Sequence, residues 1–120
     1  GSASAMAAGG VAYLMGGDAV QVSHAAALAL KNLLGLACDP VAGLVEVPCV
    51  KRNVMGAVNA LTSADMVMAG ITSKIPPDEV IDAMRAIGRS MSEDIRETGK
   101  GGLAGTPTGV AIRERMAGTL

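Results

Sequence analysis

A chain of 120 residues, half of them apolar, with a net charge of −1 and a pI near 5.7, is long enough for one domain and carries no electrostatic footprint for nucleic acid. One tyrosine (Tyr13), no phenylalanine and no tryptophan leave the core to Ala, Val, Leu, Ile and eight Met, while 16 Gly permit close backbone approach. Mean hydropathy is +0.41, yet Asp18, Lys31, Asp39, Glu46 and Lys51 interrupt every run before it reaches the ~18 apolar residues of a membrane span, so the chain reads as soluble, with more apolar surface than it buries alone.

Residues 3 to 15 are rich in Ala and Met and stop at Gly16-Gly17, which predicts a short first helix. Asp18 is placed to cap a second, from 19 to 34, whose Val20, Val22, Leu28, Leu30, Leu33 and Leu34 among alanines predict burial on most sides and an end near Gly35. Pro40, Gly43 and Pro48 make residues 37 to 48 a loop, with two extended residues where Val45 and Val47 flank Glu46. From Cys49 to Ala69 the helical period returns. Val50, Val54, Val58, Leu61 and Met68 fall near one stripe, and Gly56, Ala60 and Ala64 stand four apart on another, where core packing against a neighbouring helix explains them. Pro77, Asp78 and Glu79 start a fourth helix. Its Val80, Met84, Ile87, Met91 and Ile95 give the clearest amphipathic pattern in the chain. The opposite face, with Arg85, Arg89, Glu93, Asp94, Arg96 and Glu97, reads as solvated. Gly99, Gly101 and Gly102 break that helix, and "GTPTGVAIRERMAGTL" predicts a loop and a weak terminal helix. The fold class is therefore all-α: a compact bundle of about four to five helices with a cysteine-bearing loop between helices two and three.

Both cysteines, Cys38 and Cys49, bound that loop within "LACDPVAGLVEVPCVKRN". Their ordinary reading is core packing as small hydrophobes. A disulfide fits poorly with a chain that has no signal peptide and no framework of half-cystines. Zinc lacks ligands, because the only histidine, His24, stands in an Ala-rich helical pattern. A thiolate-bound cluster stays open provided that further ligands come from elsewhere. Asp39 reads first as the start of an Asp-Pro turn and second as a hydrogen-bonding group for a substrate. Arg52 and Asn53 fit helix-end packing as well as contact with a carboxylate or with a partner.

The stretch "GLACDPVAGLVEVPCVKRN" resembles the "GLTCDPVxGxVxVPCxxRN" segment of the alpha chain, or alpha domain, of iron-sulfur-dependent bacterial L-serine dehydratases. Upstream, "GSASAMAAGG" is similar to that family's "GxACSMAAAG". Downstream, "VNALTSADMVMAG", "VIDAMRAIGRSM" and "RETGKGGLA" follow in family order. The resemblance covers residues 1 to 104, read as the C-terminal part of an alpha-type helical domain, with 105 to 120 as a divergent tail. Ser4 stands in the place of the "ACSM" cysteine, Asn32 where relatives often carry His, and the tail holds no cysteine, where many relatives end in one.

The resemblance implies that Cys38 and Cys49 ligate a 4Fe-4S cluster, with a third ligand in a "GCQ" segment upstream of the "GxACSM" match. It further implies conversion of L-serine to pyruvate and ammonia, with the cluster as the Lewis acid for the leaving hydroxyl, and leaves the catalytic base unknown. Asp39 and Asn53 become the substrate-contact candidates. A beta chain or domain, self-association into a homo-oligomer and a cytoplasmic location are expected, with neither nucleic acid nor membrane as partner, and the chain alone is expected to be inactive. Two alternatives stand beside this reading: a cluster-free helical scaffold or subunit module, and a related cysteine desulfidase, in which the leaving group is sulfide.

Overall fold

A computed structural model of the chain describes residues 1–119 and shows five α-helices and no β-sheet among them. They are α1 (Ser2–Leu14), α2 (Ala19–Lys31), α3 (Cys49–Met68), α4 (Pro77–Ser90) and α5 (Pro107–Ala117), joined by three short 3-10 turns at Val41–Gly43, Glu93–Ile95 and Gly102–Gly105. The all-α expectation holds, as does the cysteine-bearing loop between the second and third helices. The chain divides into two compact units, Gly1–Leu36 with Asn53–Arg89, and Ala37–Arg52 with the residues from Ser90 onward.

In the first unit α1 packs on α2, and the core is built mainly of alanine: Ala8, Ala12, Ala25 and Ala29 are fully buried, together with Ala60 and Ala64 of α3. Each such methyl contributes only about 0.8 kcal/mol. The larger aliphatic burial comes from Leu28, Leu30, Val67 and Val80. The stripe of small residues on α3 is thus the inward one, and the Gly56 carbonyl accepts from the Ser4 hydroxyl of α1. Conversely, Val54, Val58 and Leu61 are exposed at 63, 58 and 54%.

Local chemistry explains most helix ends. Asp18 caps α2 by accepting from the Gln21 N–H at 2.8 Å, and the Gln21 side chain returns the bond to the Asp18 N–H at 2.9 Å. Thr106 caps α5 ahead of Pro107. Three expectations are corrected. Helix α2 closes at Lys31, not near Leu34, because Leu33, Leu34 and Leu36 bond three residues back in a tighter turn. Val45 and Val47 lie in a turn, not in extended backbone, since the Val41 N–H donates to the Val47 carbonyl and folds the loop on itself. Helix α4 ends at Ser90, not Ile95: the Ser92 hydroxyl accepts from the Asp94 N–H and starts a separate 3-10 turn.

A polar tie joins the first three helices. The Asn59 amide donates to Ser4 Oγ and to the Ala29 carbonyl, both at 2.9 Å, and accepts from Asn32 at 2.8 Å, while the Ser4 hydroxyl donates to the Gly56 carbonyl at 2.6 Å. Asn59→Leu leaves the Ala29 carbonyl without its partner, so a loss of about 2 kcal/mol is expected in urea unfolding. A loss under about 0.5 kcal/mol would show that the tie contributes nothing. His24 is structural too, its Nδ1 accepting from the Ser73 N–H at 3.2 Å.

In the second unit α5 lies against the Val41–Gly43 and Gly102–Gly105 turns. Gly109 makes this possible, because a Cβ there would collide with the Leu103 and Ala104 carbonyls.

Candidate functional site

The second unit holds both cysteines. Cys38 lies just before Asp39-Pro40, in a segment whose backbone is fixed on both sides: its N–H donates to the Ile95 carbonyl and its own carbonyl accepts from the Glu97 N–H, each at 2.9 Å. This isolated parallel bridge is the only strand-like pairing among the described residues. Cys49 opens α3 directly after Pro48, whose peptide bond with Val47 is cis. Both thiols are free and partly accessible.

The charge on Cys49 acts on the Cys38 thiol. Burial pushes the Cys38 thiol up, charge on Glu97, Cys49 and Asp39 pushes it further, and a hydrogen bond from the Glu97 backbone offsets a part. A cation seated between the sulfurs reverses that balance, because a coordinating thiol is deprotonated outright. Two free thiols, one acting electrostatically on the other, are groups that can each donate to a cation. They form only part of a donor set: no group of three or more His, Cys, Asp or Glu able to hold a metal occurs among the described residues.

Asp39 is buried, at 3% exposure. Its Oδ1 accepts from Arg52 at 2.5 Å and its Oδ2 from the Leu103 N–H at 2.6 Å, so both oxygens are committed within the unit. Burial alone would raise this carboxyl; the Leu103 N–H and the Arg52 guanidinium outweigh it and hold the group below the usual carboxylate range. Arg52 also donates to the Ala37 carbonyl at 2.8 Å. Gly102 is required beside Asp39. Its φ is +59°, and a Cβ there would collide with the Asp39 carboxylate.

Cys38, Cys49 and Asp39 are thus brought together, whereas Asn53 falls in the first unit, exposed on α3 with no side-chain hydrogen bond. Sequence reasoning misses Glu97 and Leu103. The apolar period puts Glu97 on a solvated helix face; the structure takes it off the helix, holds it at φ +68° and bonds its backbone to Cys38. The available signal is the glycine run of "ETGKGGLAG", which makes a tight return of the chain feasible.

The second unit thus places one free, partly accessible thiol just before Asp39 and another at the start of α3, beside the Asp39–Arg52 ion pair. The sequence profile of the family described as serine dehydratase alpha chain matches residues 1–104, and the chain belongs to that family. It is 63% identical over 118 residues to a probable L-serine dehydratase alpha chain of Latilactobacillus sakei, which covers 98% of this chain and 56% of that protein. With a probable L-serine dehydratase alpha chain of Bacillus subtilis (strain 168) it shares 61% over 118 residues, 98% of this chain and 39% of the relative. With the L-serine dehydratase alpha chain of Peptoniphilus asaccharolyticus it shares 54% over 113 residues, 94% and 39% respectively. The chain therefore spans 39 to 56% of the length of these relatives.

Proposed function

We propose that the chain is part of an iron-sulfur L-serine dehydratase, in which Cys38 and Cys49 are two ligands of a 4Fe-4S cluster and L-serine is converted to pyruvate and ammonia. The observation that carries this is the pair of partly accessible, free thiols, one acting on the other electrostatically, in a chain of the serine dehydratase alpha chain family. When bound, the cluster supplies Lewis acidity toward the hydroxyl that must leave. The protein's share is positional. The Ile95 and Glu97 backbone bonds fix the segment bearing Cys38, and the first turn of α3 fixes Cys49. Asn53, with its amide unengaged and exposed, is the substrate contact in this reading. Elimination of water from serine gives an aminoacrylate that hydrolyses to the products.

A beta chain or domain is the expected partner, with further ligands and the catalytic base arising outside the described residues. Support for a partner comes from Val54, Val58 and Leu61 of α3, three large aliphatic side chains more than half exposed on one stripe. The location is proposed to be cytoplasmic, in keeping with free thiols. No described helix is long and apolar enough to cross a membrane.

The test combines the full-length alpha chain with its beta partner, reconstitutes iron and sulfide without oxygen, and follows visible absorption and product. Expected are a brown chromophore and pyruvate formation with L-serine, with much weaker sulfide release from L-cysteine. No chromophore, or sulfide release exceeding pyruvate from serine, sinks the reading.

A further inference from the structure

We infer that Asp39 and Arg52 are positioning residues that set the geometry of the Cys38–Cys49 sulfur pair. This rests on the assignment of those sulfurs as ligands and adds to it a pair whose own hydrogen bonds go to one another and to the backbone at Ala37 and Leu103. Asp39 follows Cys38 directly. Arg52 lies three residues after Cys49, on the same face of the first turn of α3. One Arg52 nitrogen donates both to the Ala37 carbonyl at 2.8 Å and to Asp39 Oδ1 at 2.5 Å, so it grips the chain immediately before and immediately after Cys38. The remaining Asp39 oxygen is held by the Leu103 N–H at 2.6 Å, which ties the same point to the Gly102–Gly105 turn. Gly102, where any Cβ would displace the Asp39 carboxylate, keeps that seat open. The ten residues between the cysteines include Gly43 and do not by themselves fix where the sulfurs face. The ion pair is what locks one sulfur-bearing segment to the other. Its burial suits that role, since Asp39 is 3% and Arg52 27% exposed at the side chain, whereas the Lys100–Glu93 pair of the same unit is exposed at 61 and 69% and holds nothing comparable.

The test closes the two thiols with phenylarsine oxide on the reduced full chain. In that condensation two S–As bonds form and the arsenic oxygen leaves with both thiol protons as water, so no oxidant is needed. Wild type should bind one arsenical per chain and lose both thiols to Ellman's reagent, and Cys49→Ser should abolish this closure. Asp39→Asn retains the size and an acceptor for Leu103 and should weaken arsenical affinity, measured against a dithiol competitor, about tenfold. Arg52→Lys, which keeps the charge and loses the planar fork, should weaken it less, about threefold. Val67→Ala, in the core of the other unit, should lower the melting temperature and leave the affinity unchanged. Equal affinity in wild type and in whichever of Asp39→Asn and Arg52→Lys melts cooperatively overturns the positioning role. So does an affinity loss in Val67→Ala as large as theirs, because general destabilisation then explains all three. The arsenical needs no iron, so wild type that closes normally but takes up no cluster counts against the ligand assignment and not against the pair.

Discussion

Cys38→Ser and Cys49→Ser are each expected to lose the iron chromophore and to lower serine-dependent pyruvate formation at least about a thousandfold in the reconstituted holoenzyme. That magnitude follows from removing a Lewis acid that contributes several kcal/mol to the departure of hydroxide, at one power of ten per 1.36 kcal/mol. Serine is nearly isosteric with cysteine, but its hydroxyl does not ionise in this range and is a poor ligand for iron in a cluster. Both thiols are only partly buried, so the exchange should cost less than about 1 kcal/mol of stability. This separates the proposal from simple packing. A packing role predicts a shifted unfolding midpoint with chromophore and pyruvate retained, and iron content, visible absorption and urea midpoint on the same three proteins decide between them.

Helix starts are legible because their signals are local. Asp18 with Gln21, Pro77 with two acidic residues, and Thr106 with Pro107 satisfy orphan N–H groups or match the dipole within one turn, and the structure uses all three. Helix ends are less legible. The apolar period of α4 runs on through Met91 and Ile95, but the Ile95 carbonyl and the Glu97 N–H are engaged by Cys38, far earlier in the chain. No local pattern encodes that exchange. The inward face of α3 is legible, in contrast: Gly56, Ala60 and Ala64 stand four apart as a helix-packing stripe, and Ala60 and Ala64 are buried in the core with the alanines of α1 and α2. The two cysteines stand out through the family resemblance, whereas the Asp39 clamp does not. Its partners lie 13 and 64 residues away, and an Asp-Pro pair locally signals no more than a turn.

Asp39→Ala is expected to destabilise the chain by about 3 kcal/mol. Two penalties combine. Removal of the carboxylate takes the acceptor from the part-buried Leu103 N–H, at about 1 kcal/mol, and strips Arg52 of the partner that offset its desolvation. Arg52 remains a quarter exposed and retains the Ala37 carbonyl, so it can recover water, which holds the total near the low end of the range for broken buried pairs. Lys100→Met removes the partner of Glu93 in a pair at 3.1 Å and should cost less than about 0.5 kcal/mol, since both side chains are already largely solvated. Asp39→Asn should fall between the two, because the amide oxygen still accepts from Leu103 and only the ionic part is lost. Urea unfolding followed by circular dichroism, with unchanged slope as the check on two-state behaviour, gives all three values. If Asp39→Ala costs no more than Lys100→Met, the two hydrogen bonds to Asp39 do not hold the loop, and the close approach of Gly102 to Asp39 must be maintained by the packing of α5 instead.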